Sequence, residues 1–170
     1  MEASFNCVHP RPCGCYGDNQ KPCSCAHAVV TKYQKRISGP LLDRIDIHIE
    51  VRRVDYEKLS GDRVGEPSEC IRARIQAARD IQTRRFSTNG SSDIVCNADM
   101  RVREIRQFCK LPEDARSLMR AAMTQLNLSA GAYHRILKLA RTIADLAGCD
   151  EIQSVHLAEA LQYPPKLMLN

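Results

Sequence analysis

Five thiols fall within the first 25 residues: Cys7, Cys13, Cys15, Cys23 and Cys25, set among Pro10, Pro12, Gly14, Gly17 and Pro22. Cys13-x-Cys15 followed by Cys23-x-Cys25 makes two thiol pairs with a glycine-containing turn between them, and four soft ligands satisfy one tetrahedral zinc. One residue separates the members of each pair, tighter than the usual two to four. Two readings stand side by side. One is a zinc or other soft-metal centre built from Cys13, Cys15, Cys23 and Cys25, with Cys7 and His9 in reserve. The other is a solvent-exposed loop whose thiols are free or oxidised. Neither carries a catalytic role.

The remaining candidates are weaker. The histidines are His9, His27, His48, His134 and His156, and none sits in a nucleophile-and-base motif. His134 and His156 fall in helical sequence, where a hydrogen-bonded structural histidine is the ordinary case. No glycine is followed by lysine, so the phosphate-cradling G-x-x-x-x-G-K-[ST] loop is absent from these residues. Asp150-Glu151 follows no apolar strand and so does not read as a magnesium-holding pair. Arg44 has two readings: a solvated partner of Asp43 or Asp46, which residue chemistry favours, or a guanidinium presented to a phosphate on a neighbouring subunit. Likewise Arg72, Arg74, Arg79, Arg84 and Arg85 read as a solvated helix face rather than a nucleic-acid stripe.

The elements that must position these residues change character along the chain. With 170 residues, 44% hydrophobic, 26% charged and no Trp, the chain can bury a core in which aliphatic helices dominate. A net charge of +5 permits phosphate-bearing partners without requiring them. No membrane-spanning run or secretory signal is visible, so the expected location is the cytoplasm. Cys70, Cys96, Cys109 and Cys149 stand singly in helical sequence, where they read as reduced core or surface thiols.

Val29, Val30 and Tyr33 predict a short helix over residues 29–36. Ile45, Ile47, Ile49 and Val51 alternate with Asp46, His48 and Glu50, the period of a half-buried strand over 45–51. Helical signals then follow without a break from 67 to 163. The first helix opens at Pro67-Ser68 and carries Ile71, Ile75, Ala78 and Ile81. Asn97 caps a second over 98–109. Pro112 starts a third with a stripe of Ala115, Leu118, Met119, Ala122, Met123 and Leu126. Ser129 caps a fourth, in which Ala132, Ile136, Leu139, Ala140, Ile143, Ala144 and Ala147 turn inward until Gly148 ends it. Ser154 caps a fifth, with Val155, Ala158 and Leu161. The fold class expected is mainly α: one strand, then a bundle of about five helices.

Three stretches carry a resemblance to a known family: Ile37-Ser-Gly-Pro-Leu-Leu-Asp-Arg-Ile-Asp46 and its continuation to Val51, Cys96-Asn-Ala-Asp-Met100, and Leu128-Ser-Ala-Gly-Ala-Tyr-His-Arg-Ile-Leu-Lys-Leu-Ala-Arg-Thr-Ile-Ala-Asp-Leu146. Together they resemble the C-terminal part of the magnesium-chelatase-like AAA+ ATPases of the YifB/ComM family. The resemblance implies that residues 1–60 are a Cys-rich segment and the end of an AAA+ α/β core. Residues 61–170 would then be the helical lid of the magnesium-chelatase C-terminal type. It also implies an ATP- and Mg-dependent hexameric motor acting on DNA, with helicase and branch-migration activity in the competence member, and no membrane partner.

Carried over position by position, the resemblance places the arginine finger at Arg44. The sensor 1 asparagine position falls on His9, and the first cysteine of the family's Asn-Pro-Cys-Pro-Cys-Gly falls on Arg11. Cys13, Cys23 and Cys25 match the remaining family cysteines, so a metal would need Cys15 or Cys7 as its fourth ligand. The sensor 2 arginine position falls on Gly131, which has no side chain to reach a phosphate. Walker A and Walker B have no counterpart in these residues. The expectation is therefore a C-terminal fragment that folds as a lid and is not catalytic alone. The alternative is a stand-alone metal-stabilised module that binds DNA or a partner protein.

Overall fold

The computed structural model describes residues 12–15, 22–36, 45–49, 51, 54, 65–87 and 93–163. The chain divides into two compact units, one of Met1–Ile45, Ile49–Asp62 and Pro165–Asn170, the other of Asp46–His48 and Arg63–Pro164. In the first unit, α1 (His27–Gln34) forms where Val29, Val30 and Tyr33 predict it, starting two residues earlier, and buries Val30. Among the described residues the second unit contains five more α-helices: α2 (Ser68–Ser87), α3 (Val102–Phe108), α4 (Glu113–Gln125), α5 (Ala130–Leu146) and α6 (Ser154–Ala160). A 3-10 turn, Asn97–Asp99, lies between α2 and α3.

The second unit is organised around α5, which touches α2, the 3-10 turn, α3 and α6, while α4 packs on α6. Its start is set by Ser129, whose Oγ accepts from the Ala132 N–H at 3.1 Å. Its buried face holds Ala132, Ile136, Ala140 and Ala144, spaced four apart, beside a second row of Leu137, Arg141 and Asp145. Ala140, Ala144, Ala115 and Ala160 are fully buried, and side chains this small let helix axes approach closely. Larger groups fill the remaining space: Phe86, Ile94, Met100, Ile105, Met119, Ile152 and Leu157. Phe86 and Phe108 meet edge to face at 5.7 Å between centroids.

Gly148 ends α5 as its position predicts. Its φ of 68° is left-handed, which glycine adopts without penalty. The turn is closed by the Cys149 N–H on Ala144 O at 2.9 Å and the Gly148 N–H on Asp145 O at 3.1 Å. It sends the Cys149 and Asp150 carbonyls back toward the helix. The buried Arg141 guanidinium donates to both, at 2.7 Å for Asp150. Arg141 Nε also donates to Asp145 Oδ1 one turn later, at 3.1 Å.

Asp145 is 2% exposed and gathers more than Arg141. Arg85 of α2 makes a two-pronged pair with it, Nη1 to Oδ2 at 2.8 Å and Nη2 to Oδ1. Asn97 Nδ2 donates to Asp145 Oδ2 at 2.8 Å, and Asn97 Oδ1 accepts from Arg85 at 3.0 Å. The Asn97 N–H is in turn taken by Gln82 Oε1 at 3.0 Å. One carboxylate thus ties α2 and the 3-10 turn to α5. Lys138 adds a 2.7 Å bond from α5 to Ala98 O within that turn.

Several expectations are corrected. The strand over 45–51 does not form at its described positions, and no strand occurs among the described residues. Alternation chooses a face but supplies no partner. The backbone bond made there is His48 N–H to Tyr163 O at 2.9 Å, and Ile47, Ile49 and Val51 stay 48%, 75% and 89% exposed. The helix expected over 98–109 is split because the Asp99 carboxylate takes the Val95 and Cys96 N–H groups, closing a tight turn before Met100 leaves helical geometry. In α2, Ile71 and Ile75 are exposed and the burial falls on Ala78, Gln82 and Phe86. In α6 the cap is Gln153 rather than Ser154, and His156, Leu157 and Ala160 turn inward with Leu161 packed against the core as expected, while Val155 and Ala158 face out.

Two outcomes test this account. Asp145→Ala leaves the buried Arg141 and the half-buried Arg85 without their carboxylate, so it is expected to cost about 3–5 kcal/mol, read as a lower urea midpoint at unchanged slope. Arg72→Ala on the exposed face should change stability by no more than about 0.5 kcal/mol. The second concerns acid. Burial pushes the Asp99 carboxyl up, but hydrogen bonds from the Cys96 thiol and the Cys96 and Val95 N–H groups outweigh it and hold the pKa below the ordinary 3.8. A carboxylate depressed in the folded state adds stability that is whole above its unfolded pKa and is lost as pH falls through the folded value. The melting-temperature gap between the wild type and Asp99→Asn is therefore expected to shrink between neutral pH and about pH 3. A gap independent of pH would contradict it.

Candidate functional site

Three of the four proposed metal ligands come together. The Sγ atoms of Cys13, Cys23 and Cys25 all lie within 4.8 Å of one another, with Cys13 to Cys23 at 3.3 Å. The turn over residues 12–15 makes this fit, with Gly14 at φ 71° folding the chain back so that the Cys15 N–H donates to Cys13 Sγ at 3.4 Å. Cys15 does not join: its own thiol donates to Cys13 O at 3.4 Å. Cys25 sits two residues before α1, and its thiol pKa is pushed up to about 11, chiefly by its hydrogen bond with Cys13 and then by burial. Thiols crowded without a cation resist ionisation, and a bound cation reverses that balance.

The nucleotide-facing candidates separate. Arg44, His9, Arg11 and Cys7 lie outside the described residues. Gly131 is exposed in the first turn of α5, where an added Cβ would meet only Arg135 Nη1 at 3.6 Å and Ser129 Oγ at 3.7 Å, ordinary contact distances. Position 131 therefore has room for a side chain. Arg135, one turn further along, lies 3.9 Å from the Asp46 carboxylate.

Of the described histidines, His156, His134 and His27 do structural work or stand at the surface, whereas His48 is half-buried with its Nε2 enclosed. His156 is buried and its Nδ1 accepts from the Gln153 N–H at 3.1 Å, closing the start of α6. His134 meets the Tyr133 ring at 5.4 Å between centroids. His27 is exposed at the start of α1. The single cysteines divide as well: Cys70 is exposed, whereas burial pushes the Cys109 thiol up to about 12 and leaves it a core group.

Sequence reasoning missed the buried ionic cluster. Arg85 was expected on the solvated face with Arg72, Arg74, Arg79 and Arg84, yet it is the residue that reaches Asp145. A signal was present in the Arg141 to Asp145 spacing of four, which places opposite charges on one helix face inside an apolar stripe. The partner on α2 had no such signal, because the separation from Asp145 is 60 residues. The cluster also shows what two of the stretches carrying the resemblance do: residues 96–100 and 128–146 meet through Asn97, Thr142, Asp145, Ala98 and Lys138.

The family model described as magnesium chelatase, subunit ChlI C-terminal, matches residues 65–164, and that described as magnesium chelatase, subunit ChlI, matches residues 3–59. Competence protein ComM of Haemophilus influenzae is 39% identical over 158 residues, which make up 92% of this chain and 29% of that protein. YifB of Escherichia coli is 37% identical over 157 residues, again 92% and 29%. A Mycobacterium tuberculosis protein is 30% identical over 152 residues, 89% of this chain and 29% of its own. The chain thus spans about 29% of the length of these relatives. With its helical bundle matched from 65 to 164 and its preceding residues from 3 to 59, the chain belongs to the magnesium chelatase subunit ChlI family.

Proposed function

We propose that this chain is the C-terminal part of a magnesium-chelatase-like AAA+ ATPase, the kind of motor that couples ATP and Mg to work on DNA in a hexameric ring. Residues 1–60 supply the end of the core, and residues 61–170 supply the lid. The observation that carries the reading is the match of the bundle around α5 to the family's C-terminal model over residues 65–164. In this reading Arg44 is the arginine finger, offered to a nucleotide held by the neighbouring subunit, where a guanidinium stabilises charge on the transferred phosphate. His9 stands at the sensor 1 position and Gly131 at the sensor 2 position. The lid of this chain then holds its fold but lacks its own cation at residue 131. The name of the Haemophilus relative connects the proposal with competence, and a DNA-directed helicase role rests on that kinship. The protein works in the cytoplasm in this scheme, and the isolated chain hydrolyses no ATP.

A second reading is favoured by the thiol cluster and the exposed arginines of α2: a metal-stabilised module that binds DNA or a partner. Phosphate contacts release counterions, so DNA affinity in that case must fall steeply with added salt, and no affinity at low salt excludes it.

Calorimetric titration of the chain with ATP and Mg tests the first reading. No saturable binding is expected, and micromolar binding overturns the assignment of a lid that cannot hold nucleotide unaided. In mixtures with full-length Escherichia coli YifB, the wild-type chain is expected to alter ATP turnover and Arg44→Ala to lose that effect. Equal effects of both sink the finger assignment.

A further inference from the structure

The three gathered thiols have geometry that a chance loop would not need. A zinc ion bound by thiolates at about 2.3 Å in a tetrahedron holds its sulfurs about 3.8 Å apart. Cys13, Cys23 and Cys25 lie within 4.8 Å of one another, so small side-chain adjustments bring all three onto one ion. A disulfide would require about 2.05 Å and would use only two of them, leaving the third stranded. None of the three is in a disulfide.

The backbone is arranged for a charged sulfur as well. The Cys15 N–H donates to Cys13 Sγ at 3.4 Å, and a donor aimed at sulfur stabilises the thiolate. This approach depends on the left-handed Gly14, φ 71°, between the two cysteines. The Cys15 thiol, by contrast, is engaged with Cys13 O at 3.4 Å, outside the trio. Cys23 and Cys25 lie just before α1, whose N-cap Ala26 makes no side-chain cap bond. A metal joining residue 13 to residues 23 and 25 would therefore close a ten-residue loop and fix the approach to that helix.

We infer that Cys13, Cys23 and Cys25 form a three-thiolate site for one thiophilic divalent cation, zinc above others, in which Cys15 contributes its backbone N–H rather than its sulfur. Binding replaces three S–H bonds by three metal–sulfur bonds, releases three protons to solvent and leaves a water in the fourth position. No electron transfer is involved. The site stands apart from the nucleotide reading, since it depends on none of Arg44, His9 or Gly131.

The test uses the full chain, reduced by a phosphine and titrated with Co²⁺ and then Zn²⁺. One equivalent of Co²⁺ is expected to give sulfur-to-cobalt charge transfer and tetrahedral d–d bands, both displaced by Zn²⁺. Cys23→Ser and Cys25→Ser each remove a ligand and should weaken binding by more than the about 10–100-fold cost of losing an outer partner of a ligand. Cys15→Ser keeps its N–H and should retain one metal per chain with affinity within a few-fold. Far-UV circular dichroism of each variant checks that the helical bundle is intact. Absence of stoichiometric Co²⁺ binding by the folded, reduced wild type overturns the site. Loss of binding in Cys15→Ser equal to that in Cys23→Ser overturns the three-thiolate arrangement in favour of four.

Discussion

The Asp145 carboxylate is the constraint on which the helical unit depends. Burying one carboxylate is costly, and burying two guanidinium groups beside it is costlier, so such a cluster persists only when nearly every donor and acceptor is used. Here Arg85, Arg141 and Asn97 all donate to it. The second positive charge is met by the carbonyls of Cys149 and Asp150, at the end of α5 where the helix dipole is negative. The left-handed Gly148 makes that arrangement geometrically available. A single carboxylate therefore sets the distance of α2 from α5, the seat of the 3-10 turn and the path into α6.

An apolar core alone would leave more freedom. The alanines of α5 allow close approach but do not select one rotation of α2 against it, since Ala140 and Ala144 present little shape. The two-pronged pair from Arg85 has direction, and a half-turn error in α2 would break it. Ionic order at one end of α5 leaves the opposite end exposed, where Ser129 caps the helix and Gly131 faces solvent.

The thiol cluster follows a different logic. Its first ligand comes from a turn rather than from a core: Gly14 is left-handed beside Cys13, whose sulfur lies with those of Cys23 and Cys25. Spacing alone suggested four equivalent ligands, yet a C-x-C pair in a tight turn points its two side chains apart, and only one sulfur of the first pair joins the group. The helix-borne cysteines show the contrast, since Cys109 is withdrawn into the core and Cys70 is left outside it.

Much of the helical unit was legible in the residues themselves, because its signals are local. Ser129 as a cap, Gly148 as a stop, and the apolar stripes of α4 and α5 need only neighbours within a turn or two. The spacing of Cys13, Cys15, Cys23 and Cys25 marked a supply of soft ligands without saying which of them gather. The facing of the short helices was not legible: packing in the bundle turns His156 rather than Val155 inward. Nor was the fate of the alternating stretch at 45–51, since a strand is a relation to a partner and the pattern names none. By itself the sequence determined the kind, length and ends of the main helices and the supply of soft ligands. Only the tertiary structure decided that Arg85 leaves its solvated row to meet Asp145 and that Cys15 turns away from the other thiols, because each depends on distances between parts of the chain that no local pattern encodes.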